Sequence, residues 1–333
     1  MVMKQITAET FSEIDNLEEY VNNVDPNSYL ARVSLEYLVI NSKSDLVETL
    51  IGRLLDSSSE ESREWAEVYK IDHLVYKQEM NLIEAIQQLT YTTVRAPELS
   101  TLIKVFQLYN YSSQKEFEMI ASLSELVNAE ISRLEEGFMK TSLLCRYMVT
   151  MQSVYLHLND VEKSRECGID ILKIALTQTM KVVALTGLGN SFILSNKEKA
   201  LEYFNKSLTL AVQMGHEMLT IEAQRSSNFT YCYWEQPEKV IINEKSSNSL
   251  AGKLEEIFHL IKSNEKEKAL FLLDQIKFKI DNDYFKAFDQ YYRGLINRES
   301  KYFEKSIKYF EKAGDYYYRK IPLKELNYKE VKT

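Results

Sequence analysis

Along LTGLGNSFILSNKEKALEYFNKSLTLAVQMG, residues 185–215, apolar side chains recur every three to four positions, twice over. Leu185, Leu188, Phe192 and Ile193 share the first face; Ala200, Leu201, Phe204, Leu208, Ala211 and Val212 share the second. That period is the mark of amphipathic helices with one buried stripe each. Ser195-Asn196 breaks the pattern, and Asn196 is placed to cap the second helix through its side-chain oxygen. Ala200 followed by Phe204 and Ser207 has the small-large-small spacing of a tetratricopeptide helix pair. Asn190 lies inside the first helix, a polar residue in an otherwise apolar segment.

The same period predicts helices along the whole chain. One acidic helix is expected over 8–23, with Phe11, Ile14, Leu17 and Val21 inward. Pro26 is expected in the first turn of a second helix reaching residue 41, and a third covers 44–55. Ser58 and Glu61 have capping-box spacing and open a helix to about residue 78. Further helices are predicted over 81–90, 97–109, 114–127 and 137–158. From residue 139 the texture is repetitive. Ser164, Ala200, Ala269 and Ser306 mark second helices at intervals of one, two and one repeat, with a period near the roughly 34 residues of tetratricopeptides. A degenerate unit fits the double gap, over 217–248. Beyond Gly314-Asp315 a terminal helix is expected, interrupted by Pro322. The fold class implied is all-α: a right-handed superhelix of tetratricopeptide-like helix pairs. Residues 1–136 form degenerate N-terminal repeats, 137–314 the tetratricopeptide-like repeats and 315–333 a C-terminal capping helix.

Composition narrows the function. Only 4 Pro and 9 Gly in 333 residues leave little room for turn-dense β folds. A formal charge of −8 argues against a general phosphate-binding surface. No apolar run approaches a membrane span, and the opening MVMKQITAETFSEIDN has no apolar signal segment, so a location inside the cell is expected. Cys145, Cys167 and Cys232 are odd in number and form no C-x-x-C pair, as expected of reduced thiols. His73, His157, His216 and His259 are scattered, and no nucleotide, zinc or nucleophile-elbow motif occurs, so no metal, cofactor or catalytic residue is expected.

What remains is binding. A helical-repeat stack presents a concave surface lined by the first helix of each pair. An asparagine there can both donate to and accept from a peptide backbone, which suits Asn190; the alternative is that it bonds a neighbouring turn. Ser153 and His157 fall on the same inner stripe of the preceding first helix, either as ligand contacts or as ordinary polar spacing. Asp315 is either an N-cap for the terminal helix or a carboxylate for a cationic ligand group. The aromatic runs 231–234, 291–292 and 316–318 lack interleaved basic residues and fit core packing better than base stacking.

Several segments carry a family resemblance: ARVSLEYLVIN (31–41), EWAEVYKIDHL (64–74), GLGNSFILSNKEKALEYFNKSLTLAVQ (187–213) and YYRGLINRESKYFEKSIKYFEKAGDYYYRKIPLKEL (291–326). In order and spacing they resemble the arbitrium peptide receptors (AimR-like) of Bacillus temperate phages, part of the larger group of peptide-regulated tetratricopeptide receptors. The resemblance implies an intracellular receptor for a short secreted peptide, acting in a transcription regulator of the lysis–lysogeny decision in the bacterial cytoplasm. It also implies DNA reading by an N-terminal helix-turn-helix, which has no counterpart in these residues, so DNA is a partner only through a domain outside this chain. Homodimer pairing is implied through a distal C-terminal helix that is shortened here after Leu326. Asn190 and Asp315 match peptide-contacting positions, and Ile193 belongs to the same candidate site. Ser153, His157 and Tyr284 stand where the family has asparagines, Thr179 where it has an arginine and Leu254 where it has a glutamine. The alternative function is a helical-repeat interaction module, an adaptor or antagonist that binds a host or phage protein and no small peptide.

Overall fold

The structure, a computed structural model, describes residues 6–114, 116–242 and 249–330, and among these the regular elements are all helical. The chain forms two units. One is Met1–Thr150 with Lys173–Met180, the other Met151–Leu172 with Lys181–Thr333. No helix among the described residues is long and apolar enough to cross a membrane.

The first unit holds α1 (Ala8–Ser12), α2 (Leu17–Asn23), α3 (Tyr29–Ile40), α4 (Ser44–Leu55), α5 (Glu60–Tyr76), α6 (Leu82–Tyr91), α7 (Pro97–Gln114), α8 (Phe117–Arg133) and the greater part of α9 (Phe138–His157). The single helix expected over 8–23 is two helices, because the Asn16 side chain accepts from Glu19 N and restarts the chain there. Pro26 lies in the turn before α3, whose cap is Ser28 accepting from Ala31 N. The cap of α5 is Ser59, which accepts from Ser62 N, and not the expected Ser58. Ser58 instead donates to Asn27 Oδ1, which holds the incoming loop.

The core of this unit contains a buried charge. Glu36 on α3 is fully buried, and Arg146 on α9 meets it with two hydrogen bonds of 2.8 and 2.9 Å. Tyr69 donates a third at 2.8 Å and Ser142 a fourth. A buried carboxylate persists only when its oxygens are matched in this way.

The second unit runs from the end of α9 through α10 (Val161–Ile174), α11 (Gln178–Phe192), α12 (Lys197–Gln213), α13 (Glu217–Tyr233), α14 (Leu250–Lys262), α15 (Lys266–Ile276), α16 (Asp283–Asn297), α17 (Ser300–Lys312) and α18 (Lys320–Glu330). The four repeat markers, Ser164, Ala200, Ala269 and Ser306, are all fully buried. The two serines donate to backbone carbonyls of a preceding helix, Ser164 to Gln152 O and Ser306 to Ala287 O, each at 2.8 Å. Asn196 caps α12 by accepting from Lys199 N at 2.9 Å. Val212, expected on the inner face of α12, is 59% exposed, since that face ends at Ala211. In the degenerate repeat α13 is a full helix; its second half extends into 243–248, which lie outside the described residues. Pro322 does not interrupt the terminal helix. It sits in the first turn of α18, where an N–H has no intrahelical acceptor to lose.

Two glycines explain how closely the pairs pack. A Cβ on Gly189 of α11 would come within 2.4 Å of the Phe204 ring on α12, and one on Gly294 of α16 within 2.5 Å of the Phe303 ring on α17. The same device, a glycine seating an aromatic ring of the next helix, recurs in two repeats.

Candidate functional site

The second unit encloses a half-open cavity of about 360 Å³. Its longest wall is one stripe of α13: Met218, Ile221, Glu222, Arg225, Ser226 and Phe229. These positions fall at alternating intervals of three and one, the same face of one helix. Ala251, Leu254 and Glu255 of α14 form a second wall, and Tyr284, Phe285, Phe288 and Tyr292 of α16 a third. Asn190 and Ile193 close it from the end of α11, and Tyr318 from the turn ahead of α18. The contributing helices are therefore the first helices of successive pairs, as a helical-repeat surface requires. The floor is aromatic: Phe229 packs edge-on against Phe288 and Tyr318, and Phe288 lies at 5.2 Å from Tyr284.

The end of α11 is fixed by its backbone. Tyr317 donates to Asn190 O at 2.9 Å, and the Trp234 indole donates to Ile193 O at 2.8 Å. Arg165 donates to Ser191 O at 3.0 Å while its guanidinium lies 3.8 Å over the Phe192 ring. The Asn190 side-chain amide, by contrast, makes no hydrogen bond among the described residues. Its donor and acceptor both remain available at the cavity wall.

The charged groups of the wall are Glu222, whose carboxyl burial pushes up and the Arg225 charge pulls back, and the pair Arg225 and Glu255. Arg225 Nε and Glu255 Oε2 lie 3.4 Å apart. Asn228 donates to the other oxygen of Glu255 and is itself locked to the following loop, donating to Ile241 O at 2.8 Å and accepting from Ile241 N at 3.1 Å. Burial pushes the Glu255 carboxyl up from the usual carboxylate range, while Asn228 and Arg225 pull it back. Burial likewise raises the hydroxyls of Tyr284 and Tyr292, and the Arg225 charge acts on both in the opposite direction.

The residues singled out from sequence divide into two groups. Asn190, Ile193, Leu254 and Tyr284 line the cavity together. Ser153 is exposed on α9 and does not line it. Thr179 falls in the first turn of α11, within the other unit. His157 and Asp315 stand behind the wall: His157 Nδ1 and Asp315 Oδ2 are 2.9 Å apart. Asp315 is fully buried, and its other oxygen accepts from Tyr318 N at 2.9 Å. Of the two sequence readings, Asp315 fits the capping one, and what it caps is the turn that carries Tyr318 into the cavity. Arg225, Glu255 and Phe229 were missed. The signal for Arg225 and Phe229 was the stripe in α13, obscured because that segment reads as a degenerate repeat; Glu255, on α14, gave none.

Among the described residues no group of three or more His, Cys, Asp or Glu is placed to hold a metal. Burial pushes the Cys145 and Cys232 thiols up to about 12 and that of Cys167 to about 11. None is a poised nucleophile.

The sequence model of a family described as AimR transcriptional regulator-like matches residues 13–328. The AimR transcriptional regulator of Bacillus phage SPbeta is 29% identical over 271 residues, which are 81% of this chain and 69% of that protein. That of Bacillus phage phi3T is 28% identical over 266 residues, 80% of this chain and 68% of its own. A solved structure of phAimR with a ligand superposes with a TM-score of 0.85 at 25% identity, covering 96% of this chain and 94% of that one. A solved structure of selenomethionine phAimR gives 0.74, covering 93% and 80%. With the family's sequence model spanning nearly the whole chain and the same helical architecture in its solved structures, this chain belongs to the AimR transcriptional regulator-like family.

Proposed function

We propose that this chain is an arbitrium-type receptor for a short signalling peptide, the sensing part of a phage lysis–lysogeny regulator, and that it performs no catalysis. The observation that carries this reading is the cavity of the second unit, where an uncommitted asparagine amide faces an aromatic floor. An extended peptide presents a donor and an acceptor at each residue, and Asn190 meets one such unit at two points without reading a side chain. The rings of Phe229, Phe288 and Tyr292 supply the apolar area that gives affinity. The volume is within the range of small-ligand sites, and it accommodates a few residues of a peptide whose remainder lies in the opening. The formal charge of −8 means that, within this reading, the helical repeats sense and do not themselves grip DNA.

A thermal-shift titration with the short peptide encoded beside the gene tests the function. A ligand that binds only the folded chain raises its stability by about 2.7 kcal/mol at a hundredfold excess over Kd. The melting temperature is expected to climb with peptide concentration and to be unmoved by a scrambled peptide. No shift with the peptide, together with a shift on adding a host or phage protein, would instead support the interaction-module reading.

A further inference from the structure

Arg146 and Arg225 each face a carboxylate largely shielded from solvent, and they are treated differently. Arg146 is spent on Glu36, with both partners aligned and hydrogen-bonded. Arg225 is only partly engaged by Glu255. Their nearest atoms, Nε and Oε2, are buried, sit 3.4 Å apart, and form no aligned hydrogen bond with each other or with anything else among the described residues. The terminal guanidinium nitrogens of Arg225 likewise have no acceptor there. A third of the side chain remains exposed, and it lines the cavity. Glu255 cannot swing to improve the fit, because Asn228 holds its other oxygen and the Ile241 backbone holds Asn228. The result is a guanidinium with a fixed carboxylate behind its Nε edge and its terminal nitrogens without an acceptor among the described residues, at a cavity wall it shares with Glu222 one turn earlier.

We propose that Arg225 is the anion-reading group of this cavity and takes a carboxylate of the bound peptide, with Glu255 as the positioning residue that turns the guanidinium toward it. This deepens the peptide-receptor reading and rests on it. A guanidinium presents two parallel N–H donors that match the two oxygens of a carboxylate, and such charge-assisted pairs are the strong ones. The aromatic floor lowers the polarity beside the guanidinium, which raises the strength of that pairing. The carboxylate comes either from the free C-terminus of the peptide or from an Asp or Glu side chain. Both present the same two oxygens.

The test uses the full chain and two libraries of randomised peptides about six residues long, roughly 20 Å when extended. One library ends in a free carboxylate and the other in an amide. Binders recovered on the wild-type chain are synthesised in both forms, and any Asp or Glu is also exchanged for Asn or Gln. Each peptide is titrated against wild type, Arg225→Lys and Arg225→Gln, after circular dichroism and melting curves show that the variants are folded. Loss of the peptide carboxylate is expected to weaken binding to wild type roughly tenfold to a hundredfold. The same loss is expected to change binding to Arg225→Gln very little, a non-additive cycle that identifies direct contact. Arg225→Lys is expected to fall between, since it keeps the charge and loses the fork. Sensitivity to amidation places the C-terminus on Arg225, and sensitivity to the Asn or Gln exchange places an acidic side chain there. Additive losses, or equal affinity of wild type and Arg225→Gln for every binder, overturn the proposal and leave peptide recognition standing. Failure to recover a binder from either library overturns both.

Discussion

Asn190 and Asp315 looked alike in the sequence, two polar residues that the family resemblance matched to peptide-contacting positions, and the structure gives them different physical situations. Asn190 is half-buried at the cavity wall with its amide uncommitted, whereas Asp315 is fully buried with both oxygens engaged by His157 and Tyr318. Substitution separates the two. Asn190→Ala is expected to leave the melting temperature unchanged or slightly raised, because no hydrogen bond within the protein is lost, and to weaken peptide binding by about 1–3 kcal/mol. Asp315→Ala is expected to lower stability by a similar amount, since a buried N–H and an imidazole lose their acceptor. Paired melting and binding curves read both effects; a loss of stability in the Asn190 variant as large as that in the Asp315 variant would contradict the assignment. Asn190 was legible because a polar residue interrupted an apolar stripe. Arg225 was not, because one charged residue on a half-polar helix resembles any solvated position, and only the fold brings α14 and α16 over it.

At the scale of the element, helices were legible and their ends were not. The apolar period located α4, α5 and α12 closely, and Asn196 was a cap that spacing alone could identify. The errors at Ser59, Pro26 and Pro322 share a cause. Several candidate caps or breakers stood within a few residues of each other, and tertiary hydrogen bonds such as Ser58 to Asn27 chose among them. Helix pairing shows the same division. The rings that require Gly189 and Gly294 are visible only in three dimensions. Gly189→Ala and Gly294→Ala are each expected to cost about 1–3 kcal/mol by forcing Phe204 or Phe303 out of place. Gly52→Ala in α4, where a Cβ meets nothing within 4 Å, is expected to stabilise by about 0.5–1 kcal/mol through helix propensity. Urea unfolding of the three variants checks the contrast, and a uniform effect across all three would show that close helix packing is not what these glycines serve.

At the scale of the whole molecule, composition and period were enough to establish an all-α chain of helix pairs, and the markers Ser164, Ala200, Ala269 and Ser306 are buried as a repeat core demands. The sequence reading divides the chain at 136/137, whereas the two units part within α9, α10 and α11, helices that periodicity treats as continuous. The Glu36 carboxylate of the first unit is fully matched, whereas Arg225 and Asn190 of the second keep unused hydrogen-bonding capacity around one cavity. Capacity of that kind is costly in an isolated chain and is recovered when a ligand supplies the missing partners. The most direct test is isothermal titration calorimetry of the full chain with the short peptide encoded beside its gene, at several temperatures. The account predicts saturable binding of one peptide per chain, with a negative heat-capacity change from burial against the aromatic floor and a clear loss of affinity in Asn190→Ala. Absence of heat at every temperature, or binding that Asn190→Ala leaves untouched, would contradict it.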